Sequence, residues 1–303
     1  MKLVMTKINT NNTKTKIHQP VLLKSVLQLL DPSPGDSYLD LTAGFGGHAS
    51  AILEKTDRAE TVLVDRDEMA MEALRNRFVN EHNVKYIKTD FVSAARQLVE
   101  QNREFSVILA DFGVSSPQLD EGDRGFSFMY DAPLDMRMDQ EQELTAEQVV
   151  NSYSTSELER ILRDYGEEPR FKKIANAIID QRPFSTTTEL ATVVKLASRG
   201  RGKIHPATKT FQALRIEVNQ ELKQIETLLP QVLKLLKTGG RVGFISFHSL
   251  EDRIVKRWLA EQSRSGYEST LKVLTKKPAV AGRTEISSNP RARSAKLRVA
   301  VKT

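Results

Sequence analysis

The chain has 303 residues, a net charge of +6, 28% charged residues and no Cys. The lack of a thiol excludes disulfides, thiolate metal sites and every mechanism that needs a Cys nucleophile. No apolar run reaches the roughly 18 residues that cross a bilayer, and the polar segment 1–17 lacks the apolar core of a secretory signal. We therefore expect a disordered tail at 1–17, no membrane partner and a cytoplasmic location.

Strand-like and helical patterns alternate along the first third of the chain. The strands are predicted over 37–42, 60–65, 83–89 and 105–111, and the helices over 48–55, 67–78 and 92–101. Alternation at this spacing is typical of parallel strands joined by right-handed crossovers. The sequence therefore predicts an α/β fold with a doubly wound, mostly parallel sheet.

The alternation stops after the fourth strand, where Gly, Pro, Ser and Asp dominate 112–143 and predict a long ordered loop. A helical block follows from Thr145 to about Ser198, and the basic link SRGRGK comes after it. The α/β pattern then resumes with helices over 218–237 and 250–262 and strands over 241–247, 271–275 and 295–302. We predict one sheet domain, formed by 18–115 and 216–303, that is interrupted by an all-helical insert at 116–215.

A Gly-rich turn, DLTAGFGGHA, joins the first predicted strand to its helix. Gly44, Gly46 and Gly47 allow a ligand to approach the backbone, and the helix offers free N–H groups there. Asp65 ends the next strand, where a carboxylate accepts hydrogen bonds from ribose hydroxyls. The spacing is not G-x-G-x-x-G, so the pair indicates S-adenosyl-L-methionine rather than a dinucleotide. A plain tight turn, with Asp65 as a cap of the helix over 67–78, is the structural alternative.

Several longer blocks resemble one family, in the same order, between His18 and Val301. Among them are DLTAGFGGHA, DFGVSSPQLD, HPATKTFQALRIEVNQEL, GGRVGFISFHSLEDRIVK and NPRARSAKLRV. The chain resembles the RsmH (MraW) family in these blocks. It departs from the family at Ala132, where Gly is usual and where the loop loses the freedom of a positive φ.

The resemblance implies a Rossmann-like class I methyltransferase that uses S-adenosyl-L-methionine. It implies methylation of the exocyclic N4 amine of a cytidine in 16S ribosomal RNA of the small subunit, with the helical insert recognising the substrate. Its cofactor positions correspond here to Gly46, Gly47, His48, Asp65, Phe91, Asp111 and Gln118. Without the resemblance, Phe91 is equally well explained as a buried aromatic residue at a strand end.

The fourth strand ends at Asp111, and the segment after it carries Ser115, Ser116 and Pro117. Ligands of open α/β sheets bind at the carboxyl ends of strands. A cytosine amine is a poor nucleophile because its lone pair is delocalised, so a hydrogen-bond acceptor on the amine would help. We expect either the Asp111 carboxylate or carbonyls of Ser115–Pro117 to be this acceptor. The lack of Cys excludes the usual Cys-dependent methylation at carbon 5 of cytosine.

The basic residues are concentrated near the C-terminus, because 264–303 holds ten Lys or Arg and only two acids. A surplus of this kind suits a phosphate-rich partner. We predict RNA contacts from the basic residues of this segment and of the SRGRGK link, namely Arg291, Arg293, Arg199, Arg201 and Lys203. The alternative is that NPRARSAKLRV is mainly structural, with its Arg side chains paired to acids of the sheet domain.

No metal ion is predicted, because the five His residues lack the spacing of metal ligands. His248 precedes Glu251 and Asp252, and a hydrogen-bonded helix start is favoured there over a divalent ion. Two other functions compete with methyl transfer: a non-catalytic, cofactor-binding ribosome assembly factor and a nicotinamide-dependent oxidoreductase. The glycine spacing disfavours the oxidoreductase. The sequence leaves the oligomeric state open, with a homodimer as one alternative.

Overall fold

A computed structural model describes residues 20–113, 122–198, 205–264 and 269–303. Their strands are β1 Tyr38–Asp40, β2 Thr61–Asp65, β3 Val84–Lys88, β4 Phe105–Asp111, β5 Leu236–Ser246, β6 Leu271–Val273, β7 Ala279–Val280 and β8 Lys296–Lys302. The first helices are α1 Leu23–Leu30, α2 Gly47–Lys55, α3 Glu68–Arg77 and α4 Phe91–Glu100. The later helices are α5 Ala146–Ser152, α6 Thr155–Asp164, α7 Phe171–Asp180, α8 Thr187–Ser198, α9 Ala207–Asn219, α10 Glu221–Leu235, α11 Ser249–Gln262 and α12 Arg283–Ser288.

All eight strands form a single sheet, in the order β3-β2-β1-β4-β5-β8-β6, with β7 also paired to β8. Strands β1 to β5 pair in parallel, whereas β8 runs antiparallel to β5, β6 and β7. This arrangement confirms the predicted α/β class and the mostly parallel sheet. The strand order reverses between β1 and β4, so the crevice that parallel α/β sheets use for ligands lies at the carboxyl ends of these strands.

The two faces of the sheet are covered by different helices. Leu39 and Val62 point into a core shared with α4, α10 and α11. Tyr38 and Leu63 point into the opposite core, shared with α1, α2 and α3. Because successive side chains of a strand face opposite sides, β1, β2 and β4 supply both cores, which explains why apolar residues predominate in them. None of the described helices combines the length and apolar character needed to cross a membrane.

Helices α5 to α9 and the loop before them share a third core, which includes Leu134, Leu158, Ile174 and Phe211. Capping boxes begin α5 and α6: Thr145 pairs with Gln148, and Ser154 pairs with Glu157. The proposed boundary at 215 lies inside α9, which continues to Asn219.

Ala132, where the resembling family usually has Gly, fits its loop without strain. Its φ lies outside the left-handed region. Its N–H donates to Thr187 Oγ1 at 3.2 Å, and its carbonyl accepts a hydrogen bond from the Thr187 N–H at 2.9 Å. Alanine is therefore compatible with the conformation of this loop.

The helix predicted over 218–237 is present as α10, but it begins at Glu221, because residues 218 and 219 belong to α9. Gln220 lies between the two helices in the left-handed region, with φ 50°. The buried Asn219 side chain donates to the Met136 carbonyl at 2.8 Å and accepts from the Met138 N–H at 2.8 Å. These contacts tie the break to the preceding loop. Strand β5 also begins at Leu236, earlier than the predicted start at 241.

Candidate functional site

A cavity of about 380 Å³ opens at the carboxyl ends of β1, β2 and β4. Its walls include six of the residues predicted to bind a cofactor, namely Gly44, Gly47, His48, Asp65, Phe91 and Asp111. Gly46 does not line it. Gly46 has φ 75°, and a Cβ there would lie 2.8 Å from Phe78 Cε2, so this glycine permits close packing of the turn against Phe78.

Asp65 holds the Gly-rich turn in place. Its Oδ2 accepts the Gly44 N–H at 2.8 Å, and its Oδ1 accepts the Asp67 N–H at 2.9 Å. Burial raises the pKa of Asp65, and the two backbone hydrogen bonds oppose that rise. Each carboxylate oxygen accepts more than one hydrogen bond, so the group retains acceptor capacity towards the cavity. The alternative role of Asp65 as helix cap is wrong: Asp67 is the N-cap of α3 and accepts the Met69 N–H at 2.9 Å.

The position of Phe91 is compatible with both explanations considered for it. Asp90 caps α4 by accepting the Val92 and Ser93 N–H groups, which places Phe91 at the start of the helix. The Phe91 ring is partly buried against the sheet core, 6.0 Å from the Phe112 ring, and also lines the cavity. Sequence reasoning missed Asp90, although an Asp before a helical pattern is a typical N-cap signal.

Asp111 lies at the end of β4, beside His48. Its backbone N–H donates to Thr42 Oγ1 at 2.6 Å, and its Oδ2 lies 3.8 Å from His48 Nε2. Its Oδ1 is buried and accepts no hydrogen bond within the described residues. Burial raises the pKa of Asp111 well above the ordinary range, and the charges of Asp40 and Glu251 raise it further. The cavity therefore contains a basic carboxylate with an unused acceptor oxygen.

Asp40, at the end of β1, is a second buried acid. The Tyr38 hydroxyl donates to its Oδ2 at 2.6 Å. Burial raises the pKa of Asp40 to about 6, although the bonds from Tyr38 and from the Thr42 N–H lower it. Neighbouring strand ends thus bring two carboxylates of raised pKa together, an arrangement that is common at functional sites.

Three further polar side chains meet above the carboxyl ends of the strands, because ligand atoms of Glu221, His248 and Glu251 lie within 4.8 Å of one another. His248 is the N-cap of α11, and its Nδ1 accepts the Glu251 N–H at 3.4 Å. The Nε2 atom of His248 lies 3.2 Å from Glu251 Oε1. Glu221 is paired with Arg215 at 2.8 Å. The hydrogen-bonded helix start expected at His248 is confirmed.

The basic C-terminal segment divides into a structural part and a cavity-lining part. Arg298 in β8 is 5% exposed and pairs with Asp252 through Nε at 2.6 Å, and Lys296 lies 3.4 Å from the same carboxylate. Arg291 and Arg293 belong to a short 3₁₀ turn, Pro290–Arg293, and line the cavity. The structural alternative therefore holds for β8, whereas two guanidinium groups stand at the predicted ligand site.

These features match a known family along almost the whole chain. The family model described as MraW methylase family matches residues 15–303. The chain belongs to this family. Since the family is one of methylases, the protein is a methyltransferase, and the cavity at the strand ends is its candidate active site.

Relatives of this methylase cover nearly its full length. The protein called Ribosomal RNA small subunit methyltransferase H in Synechocystis sp. is 47% identical over 294 residues, covering 94% of this chain and 93% of its own. Its namesake in Acidobacterium capsulatum is 48% identical over 295 residues, covering 94% and 98%. Among solved structures, TrmN from Thermus thermophilus has 15% identity and a TM-score of 0.43, covering 93% of this chain and 48% of its own.

Some predicted site residues of this methylase lie outside the described residues. They are Ser115, Ser116, Pro117 and Gln118 after β4, and Arg199, Arg201 and Lys203 in the basic link. Sequence reasoning also missed several cavity residues, among them Arg215, Gln224 and Phe247. Arg215 lies within HPATKTFQALRIEVNQEL, a block that carried the resemblance but to which no chemistry was assigned.

Proposed function

We propose that the protein transfers the methyl group of S-adenosyl-L-methionine to the exocyclic N4 amine of a cytidine in 16S ribosomal RNA of the small subunit. Relatives named as small-subunit ribosomal RNA methyltransferases support the substrate class. The observation that carries the chemistry is Asp111, whose buried Oδ1 accepts no hydrogen bond from the described residues and which lines one cavity with the Gly-rich turn and Asp65. We also propose that the protein acts in the cytoplasm.

The cavity residues fit an adenosine-containing methyl donor. Asp65 keeps acceptor capacity for ribose hydroxyls, and Phe91 offers a flat apolar surface for the adenine. Gly44 and Gly47 expose backbone at the start of α2, where helix N–H groups attract negative charge. A volume of about 380 Å³ lies within the range of small-molecule sites.

When held by Asp65 and the Gly-rich turn, S-adenosyl-L-methionine would supply an electrophilic methyl group for the amine nitrogen, and its sulfur would keep the electron pair of the broken bond. The cytosine amine must give up one proton. Asp111 is suited to accept a hydrogen bond from the amine, which localises its lone pair, and then to take that proton. The raised pKa of Asp111 makes the carboxylate a stronger base than an exposed one. Carbonyls of Ser115–Pro117 are the alternative acceptor.

The helical insert is proposed to hold the RNA over this cavity. A paired cytosine hides its amine, so the target must be single-stranded or turned out of a helix. Arg291 and Arg293 at the cavity, with Arg199, Arg201 and Lys203 in the basic link, are suited to phosphate contacts.

Mass spectrometry of 16S ribosomal RNA from cells with and without the protein tests the proposal directly. We expect one cytidine to lose an N4 methyl group when the protein is absent. Purified protein with deuterium-labelled methyl donor should restore that group on small subunits from the deficient cells. A methyl group on ribose or on carbon 5, or on no nucleotide, would contradict the proposal, and the last result would favour the non-catalytic assembly factor.

A further inference from the structure

Arg215, in α9, brings a cation to the cavity wall. Its Nε and Nη2 donate to the two oxygens of Glu221 at 2.8 Å and 2.9 Å. Nη1 donates to no other residue in the described part of the chain. The edge formed by Nε and Nη2 therefore binds Glu221. The edge formed by Nη1 and Nη2 can still donate hydrogen bonds to a ligand. Such an edge is a fixed fork that fits two neighbouring acceptors.

The surrounding contacts hold this fork in position. The buried Asn219 side chain donates to the Arg215 carbonyl at 2.9 Å and also bonds to the preceding loop. Gln224 donates to the Asn219 carbonyl at 2.9 Å across the break between α9 and α10. Arg215 and Glu221 flank this break, so their pairing is set by the same contacts. A side chain held in this way loses little further entropy when it binds a ligand.

Arg215 and the candidate base, Asp111, line the same cavity. Glu251 acts electrostatically on both Arg215 and Asp111. Glu251 follows β5, which pairs with β4 at Asp111. The Gly-rich turn and Asp65, in contrast, follow β1 and β2, where the cofactor is proposed to bind. The fork of Arg215 and the carboxyl group of Asp111 thus belong to one cavity.

We propose that Arg215 recognises the target base by donating from Nη1 and Nη2 to N3 and O2 of cytosine, while Asp111 accepts from the N4 amine. This inference rests on the proposed function. N3 and O2 are neighbouring acceptors, and N3 adjoins the carbon that carries the amine. Uracil carries a hydrogen on N3, which would oppose the fork. Arg215 would therefore select cytosine as well as orient it.

The pairing of Arg215 with Glu221 favours a neutral base over an anion at this fork. Glu221 already neutralises Arg215, and Glu251 adds negative charge nearby. A phosphate or the carboxylate of the methyl donor would bring a further negative charge to this cluster. A neutral acceptor pair avoids that repulsion and still satisfies the donors.

The test compares Arg215→Lys, which keeps the charge and removes the fork, with the double variant Arg215→Met, Glu221→Gln, which removes both charges. Arg163→Lys is the matched control, because Arg163 is an exposed residue of α6 that pairs with Asp164. Small subunits from deficient cells are the substrate, and subunits with uridine at the target position are the competitor. Calorimetry measures affinity for S-adenosyl-L-methionine, and thermal melting verifies folding.

We expect the control to behave as the original protein. In Arg215→Lys, methyl transfer should fall, cofactor affinity should stay within about two-fold, and discrimination between cytidine and uridine subunits should drop roughly 10- to 100-fold. The folded double variant should lose the same discrimination. Unchanged discrimination in a folded variant would overturn the inference, and so would a ten-fold loss of cofactor affinity, which would assign the fork to the cofactor carboxylate. If the original protein does not methylate cytidine, the proposed function itself fails.

Discussion

At the scale of single residues, the site depends on where each acid lies in the sheet. Asp40, Asp65 and Asp111 all stand at strand ends, yet their hydrogen-bond partners differ. Asp65 accepts two backbone N–H groups, whereas Asp111 Oδ1 accepts none within the described residues. An Asp thus holds the Gly-rich turn at the end of β2, and another Asp is the candidate base at the end of β4. The sequence identified both positions, but only the contacts separate their roles.

The pH dependence of the chemical step should report Asp111. Burial raises the pKa of this carboxyl, so the ionised fraction grows as pH rises through a range above that of an ordinary Asp. We expect the single-turnover rate at saturating cofactor to rise with pH over that range. Asp40, with a pKa of about 6, interacts with Asp111, so the profile reports the pair.

Asp111→Asn should lower that rate by about 100-fold or more and remove its dependence on pH, because the amide cannot take the amine proton. Calorimetry is needed alongside the rate, to confirm that the variant still binds the methyl donor. A variant that keeps the original rate and profile would move the acceptor role to carbonyls of Ser115–Pro117.

Cofactor affinity should depend on Asp65 and not on its neighbour Asp67. Asp65→Ala removes an ionised acceptor for ribose hydroxyls, and such bonds contribute about 1.5–3 kcal/mol, so we expect at least roughly ten-fold weaker binding. Asp67→Ala is the matched control, because it removes the cap of α3 and should cost about 1 kcal/mol of folding stability. Calorimetry with S-adenosyl-L-methionine measures both. Equal affinities in the two variants would contradict the ribose assignment.

At the scale of elements, periodicity predicted where helices and strands lie in the chain. It did not predict the helix break and the ion pair that depend on tertiary contacts. Strand β4 matches its predicted range at both ends, since an apolar segment interrupted only by Ser106 and ended by Asp111 is a local signal. The break at Gln220 had no such signal, because its residues suit a helix. The break depends on Asn219 bonding to Met136 and Met138, more than eighty residues earlier. Likewise, the sequence did not indicate that Arg298 pairs with Asp252, because this contact depends on the pairing of β8 with β5.

The pair formed by Arg298 and Asp252 should be essential for stability. Arg298 is 5% exposed, and its Nε and Nη2 both donate to the carboxylate. Burial would raise the pKa of Asp252, yet these bonds hold it below its ordinary value. Asp252→Ala leaves a buried cation without its partner, and we expect a loss of about 3 kcal/mol in the free energy of unfolding. Arg293→Ala, at an exposed position, is the control and should change it by less than about 0.5 kcal/mol. Urea titration of both variants decides whether β8 uses its charges for folding.

At the scale of the whole molecule, the chain builds three cores and places the site where two of its parts meet. The sheet domain supplies the turn, Asp65 and Asp111, whereas α9 supplies Arg215 from the helical part. The sequence predicted a separate helical part, because a block with only helical periodicity interrupts the alternation of strands and helices. It did not predict that α9 lines the cavity, because a local pattern does not indicate which helix packs beside a given strand end. The insert therefore contributes to the site itself as well as to the proposed RNA surface.

Binding of the small subunit should depend steeply on salt, because phosphate contacts release counterions. The triple variant Arg199→Ala, Arg201→Ala, Lys203→Ala should lower the salt slope by roughly one unit for each phosphate that the protein no longer neutralises, with cofactor affinity unchanged. Arg293→Ala should lower it by about one further unit, since this side chain lines the cavity and is exposed.

The matched control for charge is Lys55→Ala, Arg58→Ala, Lys85→Ala. These residues lie at the amino ends of the strands, at the edge of the sheet opposite the cavity, and are exposed. Both triple variants remove three positive charges, so a general effect of net charge would lower the two slopes equally. A local RNA surface predicts instead that the control keeps the original slope while the slope of the link variant falls. Equal slopes in the two triple variants, measured from about 50 to 200 mM salt, would contradict the assignment of the basic link to RNA.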